Sequence, residues 1–120
     1  MTANPFVILY VEDNVFVRQT FAELLAFLEY RVVCVADGAG AREALREQSF
    51  NLLITDINLP DGSGVDVARD ALRQNPLLPV ILCSGHDATD IARSLGPTVH
   101  ALRKPVDLEE IEALIERLAQ

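Results

Sequence analysis

The sequence predicts one α/β domain, a parallel five-stranded sheet with helices packed on both faces. Two observations carry this. Short apolar runs of strand length alternate five times with stretches whose apolar residues recur at helical spacing, the pattern of successive βα units. No linker, internal repeat or low-complexity segment interrupts the alternation, and 120 residues suffice for one such domain.

The first strand, Phe6–Val11, is continuously apolar, as burial on both faces requires, and ends in the acids Glu12 and Asp13. Asn14 is placed to cap a helix whose inner stripe is Val17, Phe21, Leu24, Leu25 and Leu28. Arg31–Val35 is a second strand. Asp37-Gly38 then turns the chain into a small helix, marked by Ala41, Ala44 and Leu45 and reaching about Gln48. Within Asn51–Gly64, the run Leu52–Ile54 reads as a buried central strand that stops at Asp56; Pro60, Asp61-Gly62 and Gly64 make a rigid turn after it. A third helix, Val65–Gln74, turns Val67, Ala68, Ala71 and Leu72 inward and ends at Asn75-Pro76.

The fourth strand, Pro79–Cys83, exits through Ser84-Gly85-His86. A short helix from about Asp87 to Leu95 stops at Gly96-Pro97, and a weaker fifth strand, Val99–Leu102, leads into Arg103-Lys104-Pro105. The last helix opens at Asp107, with Glu110 placed for a capping box, and carries the cleanest stripe: Leu108, Ile111, Leu114, Ile115 and Leu118.

Composition narrows the function. Half of the residues are hydrophobic and 23% are charged, which excludes a disordered chain. Ten basic residues stand against 18 acidic ones, a net charge of −8, which excludes nucleic acid as a direct partner and leaves room for carboxylates that hold a divalent cation. No apolar run reaches the roughly 18 residues of a membrane span. The N-terminus, Met1–Pro5, has no basic n-region, so no signal peptide is expected. Cys34 and Cys83 lie in apolar stretches without ligand spacing and read as small buried hydrophobes of a reduced, cytoplasmic protein.

Chemistry gathers at the strand exits: Glu12 and Asp13, then Asp56, Ser84 and Lys104. All five belong to the sheet edge where α/β proteins bind ligands. Three neighbouring carboxylates call for a cation, and oxygen donors with room for water and a phosphate suit Mg²⁺. A hydroxyl and an ammonium complement the remaining oxygens of a tetrahedral anion. His86 and His100 have no second His or Cys at ligand spacing and support no zinc site.

The acidic pair Glu12-Asp13, Asp56, Leu59-Pro60-Asp61-Gly62-Ser63-Gly64, Ser84 and Lys104-Pro105, in this order at these strand ends, resemble the receiver domain of two-component response regulators over essentially the whole chain, residues 1–120. The resemblance implies a flavodoxin-like fold of strand order 2-1-3-4-5. It implies that Asp56 accepts a phosphoryl group from a sensor histidine kinase or histidine phosphotransfer protein. Asp13, Asp56 and the backbone carbonyl of Asn58 would bind Mg²⁺, with Glu12 acting through water. Ser84 and Lys104 would hold the phosphoryl group, and Lys104-Pro105 matches a cis peptide of the family. Asn58 and His86, two residues beyond the acceptor and the hydroxyl, occupy positions that tune phosphoryl lifetime, here toward quick turnover. Val15 and Phe16, beside the acids, suit a kinase-docking patch.

Ala101 stands where the family usually carries an aromatic residue, and the segment from Ser84 to Lys104 is short, so the fourth helix is expected to be stunted. The expected protein is a signalling module and not an enzyme, catalysing only its own phosphorylation and slow dephosphorylation, and acting on a downstream protein target. With no output domain after the fifth helix it reads as a single-domain regulator; the alternative is a receiver cut from a larger regulator or hybrid histidine kinase. The rival class is a Mg²⁺-dependent phosphohydrolase with Asp56 as nucleophile, but Asn58 stands where such enzymes place their acid. A flavin carrier would need ring-stacking aromatic residues that the chain lacks.

Overall fold

The computed structural model describes residues 5–120; the expectation of a leaderless N-terminus falls partly on residues 1–4, outside them. The main sheet comprises β1 (Val7–Val11), β2 (Arg31–Val35), β3 (Leu52–Asp56), β6 (Val80–Ser84) and β7 (Val99–Arg103), with the two-residue strands β4 (Asn58–Leu59) and β5 (Gly62–Ser63) between β3 and the next helix. The large strands pair in parallel in the order β2-β1-β3-β6-β7, which among the five is the expected 2-1-3-4-5. The helices are α1 (Val15–Phe27), α2 (Gly38–Glu47), α3 (Gly64–Gln74), α4 (Thr89–Leu95) and α5 (Leu108–Leu118). The fold is a flavodoxin-like α/β sandwich.

Strands β3 and β6 are buried at every residue, so alternate side chains feed two separate cores. Leu9, Val11, Leu53 and Leu82 meet Ala41, Val67, Ala68 and Ala92 from α2, α3 and α4. On the other face Ile8, Tyr10, Ile54 and Ile81 meet Phe21 and Leu25 of α1 and Ile111, Leu114 and Ile115 of α5. The small residues of α2 and α3 let both helices lie close to the sheet; Arg42 joins them through Asp70 at 2.9 Å. Among the described residues no helix is long and apolar enough to cross a membrane.

Several local expectations need correction. Val17 and Leu108 belong to no core: both are about half exposed, and both line a groove beside the sheet edge, because the first turns of α1 and α5 contribute to that rim and not to the packed interior. Cys34 is exposed, since β2 is an edge strand of the sheet; Cys83, on a central strand, is buried as expected. Helix α4 starts at Thr89 and not near Asp87, whose carboxylate instead takes the Thr89 N–H and hydroxyl. Asp107 caps α5 through the N–H groups of Glu109 and Glu110, but among the described residues no bond returns from the Glu110 side chain to complete a capping box.

Candidate functional site

The topology reverses at β1 and β3, and their register decides what stands at the edge. Val11 lies opposite Thr55, and Asp56 lies opposite Cys83. The acids that follow β1 and end β3 therefore emerge side by side on strands about 4.8 Å apart. Glu12 is only 2% exposed; Asp56 and Ser84 are buried, Asp13 is exposed, and Lys104 is half-buried. The edge brings together Glu12, Asp13, Asp56 and Lys104.

Backbone contacts fix this edge. The Lys104 N–H donates to the Ser84 carbonyl at 2.7 Å, and the Lys104–Pro105 peptide is cis. The ammonium donates to Asp56 Oδ2 at 2.7 Å and to Glu12 Oε1 at 3.4 Å. Glu12 Oε2 accepts the Asn14 N–H at 3.1 Å, while Asn14 caps α1 through the N–H groups of Phe16 and Val17. Ser84 Oγ accepts the N–H of His86, whose side chain is exposed. Arg18, which sequence reasoning missed, donates to the carbonyl oxygens of Glu12 at 2.8 Å and Asp13 at 3.4 Å. Its signal was a cation one helical turn beyond the Asn14 cap, facing back toward the acids.

After Asp56 the chain forms the β4–β5 hairpin, a turn with sheet structure that the sequence did not foretell. Asn58 opens it, exposed, and Gly62 at φ +147° provides a backbone conformation that other residues rarely adopt. Gly64 closes it: its N–H donates to the Ile57 carbonyl at 2.7 Å, and a Cβ there would lie 1.8 Å from the Asp56 carbonyl oxygen. Asp61, at the hairpin tip, leaves its own loop and accepts the N–H groups of Gly38 at 2.8 Å and Ala39 at 2.9 Å.

Electrostatics separate the two buried acids. Burial, reinforced by the adjoining Glu12 carboxyl and opposed by Lys104, raises Asp56 to about 7. Burial also works against a charged Glu12, but hydrogen bonding with Asp56, the Asn14 N–H and the charge of Lys104 together hold it below the usual carboxylate range. Partial burial disfavours the Lys104 ammonium, yet its contacts with Asp56 and Glu12 keep it above its ordinary value. Of the two acids Asp56 is the one that keeps its proton more readily, and a cation bound beside it would favour its ionised form.

One oxygen from each of Glu12, Asp13 and Asp56 falls within a 4.8 Å cluster. These hard donors, with one ammonium against three carboxylates, could hold a divalent cation. Beside them a groove of about 650 Å³ runs between α1 and α5, lined by Tyr10, Phe16, Phe21, Lys104, Leu108 and Ile111 among others. Phe16 is 76% exposed and Val15 44%, so the proposed docking residues stand outside the core.

The family model described as response regulator receiver domain matches residues 8–116. The response regulator protein PmrA of Pseudomonas aeruginosa is 34% identical over 115 residues, covering 94% of this chain and 52% of that protein. The response regulator receiver protein CpdR of Brucella abortus is 32% identical over 117 residues, 92% of this chain and 94% of that protein. The first four curated relatives are each spanned over only about half their length. Among solved structures, a response regulator receiver protein from Sinorhizobium medicae superposes with a TM-score of 0.86 at 28% identity, covering 95% of this chain and 94% of that one.

Proposed function

The chain belongs to the response regulator receiver domain family, and from that premise we propose that Asp56 is its phosphoryl acceptor within a receiver domain spanning residues 1–120. The observation that carries this is a buried carboxylate with an ammonium at 2.7 Å and two further acids in reach of one cation. The family implies a histidine kinase or phosphotransfer protein as the donor. Asp13, Asp56 and the Asn58 carbonyl would hold Mg²⁺, with Glu12 acting through water. Such a cation would supply positive charge that offsets that of the phosphoryl oxygens.

Asp56 attacks phosphorus in line; an O–P bond forms as the donor's N–P bond breaks, and the leaving imidazole takes up a proton. Lys104 already touches Asp56 Oδ2 and moves with the charge onto a phosphoryl oxygen. Ser84 Oγ uses a lone pair on the His86 N–H, so its own hydrogen is free to donate to the phosphoryl group. Asn58 and His86 flank the water that ends the phosphorylated state. Exchanging both for alanine changes the phosphoryl lifetime; an unchanged lifetime removes them from that role.

Phe16, with Val15, forms the apolar contact for the donor's helices next to the groove that opens on Asp56. The domain works in the cytoplasm through a downstream protein target. Intact-mass spectrometry after incubation with acetyl phosphate and Mg²⁺ tests the acceptor. One added phosphate that requires Mg²⁺ and disappears in Asp56→Asn is expected. An equal gain in Asp56→Asn refutes the assignment.

A further inference from the structure

We propose that Asp61 is a positioning residue for the metal site, holding the β4–β5 hairpin in place by docking it on the N-terminus of α2. This rests on the acceptor reading above, in which the hairpin's first residue, Asn58, offers its carbonyl to the cation.

Gly38 and Ala39 are the first two residues of α2, and their N–H groups have no partner within the helix. The local acid Asp37 takes only the Gly40 N–H, at 2.8 Å. Asp61 takes the other two, one with each carboxylate oxygen, across 23 and 22 residues of chain. These two contacts hold its carboxyl below the usual range, so it stays charged against the positive end of the helix. A residue that only had to cap α2 could sit beside it in sequence, as Asp37 does. The long-range contact instead ties two separate elements together.

The hairpin needs such a tie. Its base is held by the Ile57 N–H on the Cys83 carbonyl at 3.0 Å and the Gly64 N–H on the Ile57 carbonyl at 2.7 Å. Its tip, Pro60 and Asp61, is exposed. The other side of the contact is rigid: Ala41 and Ala44 of α2 are buried, and Arg42 links the helix to Asp70 of α3. Gly38 is fitted to the carboxylate, since a Cβ there would stand 3.2 Å from Asp61 Oδ1. Without Asp61 the hairpin keeps its base and the packing of Leu59 on the core, but its tip is untied and the strand that carries the Asn58 carbonyl is held less firmly.

The test compares Mg²⁺ binding by calorimetry, thermal unfolding and Mg²⁺-dependent phosphorylation by acetyl phosphate in Asp61→Ala, Asp61→Asn and the control Asp37→Ala. The control removes a cap from the same helix end without touching the hairpin. Asp61→Ala is expected to raise the Mg²⁺ dissociation constant about tenfold, as loss of support behind a metal ligand does. The phosphorylation rate at saturating Mg²⁺ stays close to that of the wild type. Asp61→Asn, with one acceptor oxygen, falls between, and Asp37→Ala lowers the melting temperature without moving the Mg²⁺ curve. An Asp61→Ala curve within twofold of the wild type, or one shifted equally in Asp37→Ala, overturns the proposal. A wild type that takes up no Mg²⁺ refutes the acceptor reading itself, which the same titration shows.

Discussion

Replacing Asp56 by asparagine should stabilise the metal-free protein at alkaline pH and leave it nearly unchanged in acid. The folded chain holds Asp56 at about 7 against an ordinary 3.8. Across that window it binds a proton that the unfolded chain has released, so wild-type stability falls as pH rises toward 7. At about 1.36 kcal/mol for each tenfold change in proton affinity, the difference corresponds to about 4 kcal/mol above pH 7, an upper bound because Asp56 and Glu12 titrate together. Glu12 acts in the opposite sense, but its contribution is lost only as pH falls below its unfolded value of 4.5. Asparagine keeps the shape and has no proton to lose. Urea and thermal melts in chelator at about pH 5 and about pH 8 should show a gain of roughly 2–4 kcal/mol at the higher pH, on the order of 10 °C, and about 1–1.5 kcal/mol at the lower, where the unfolded carboxyl has already released its proton. Adding Mg²⁺ should shrink that gap, since the cation favours the ionised wild type. An equal gain at both pH values, or none, would refute the picture of an acid held against its charge.

Three other outcomes follow from the geometry. Lys104→Met should slow phosphorylation by acetyl phosphate by about 10²–10³-fold while tightening Mg²⁺ binding, because a competing cation is gone; a mass-spectrometric time course within threefold of the wild type would argue against its role. Gly64→Ala forces a Cβ onto the Asp56 carbonyl. It should cost roughly 3 kcal/mol or more in denaturant melts, and a loss below about 1 kcal/mol would show that the loop yields easily. Phe16→Ser should leave stability within about 0.5 kcal/mol and acetyl phosphate reactivity unchanged, yet weaken transfer from a phosphorylated kinase about tenfold or more; unchanged transfer would place docking elsewhere.

Strand positions and the five exit residues were legible because each is a local signal: a short apolar run, then a polar residue at its end. The sheet order was not local and came from resemblance. Four features escaped for physical reasons. Arg18 and Asp61 act on backbone groups, and a carbonyl or N–H carries no side-chain signature in the sequence. The exposure of Val17 and Leu108 depends on where the helices meet the sheet, which periodicity does not report. Glu12 was placed at the right edge, but its burial depends on how distant segments close over that edge, which no local signal reports. Cys34 was misread because an edge strand and a central one can share the same apolar composition.

The spread of the site along the chain also affects when it can exist. Glu12 and Lys104 touch although 92 residues separate them, and Asp56 waits 48 residues for the same ammonium. Synthesis proceeds from the N-terminus, so a ribosome that has released β1 through β6 presents the clustered acids while their countercharge is still inside the exit tunnel. Such a chain has a sheet edge that repels itself and an acceptor without the ammonium that meets the incoming phosphate. On the proposed chemistry, full competence to be phosphorylated therefore reports that the last strand has emerged and docked, and a kinase meeting an unfinished copy finds a poor acceptor.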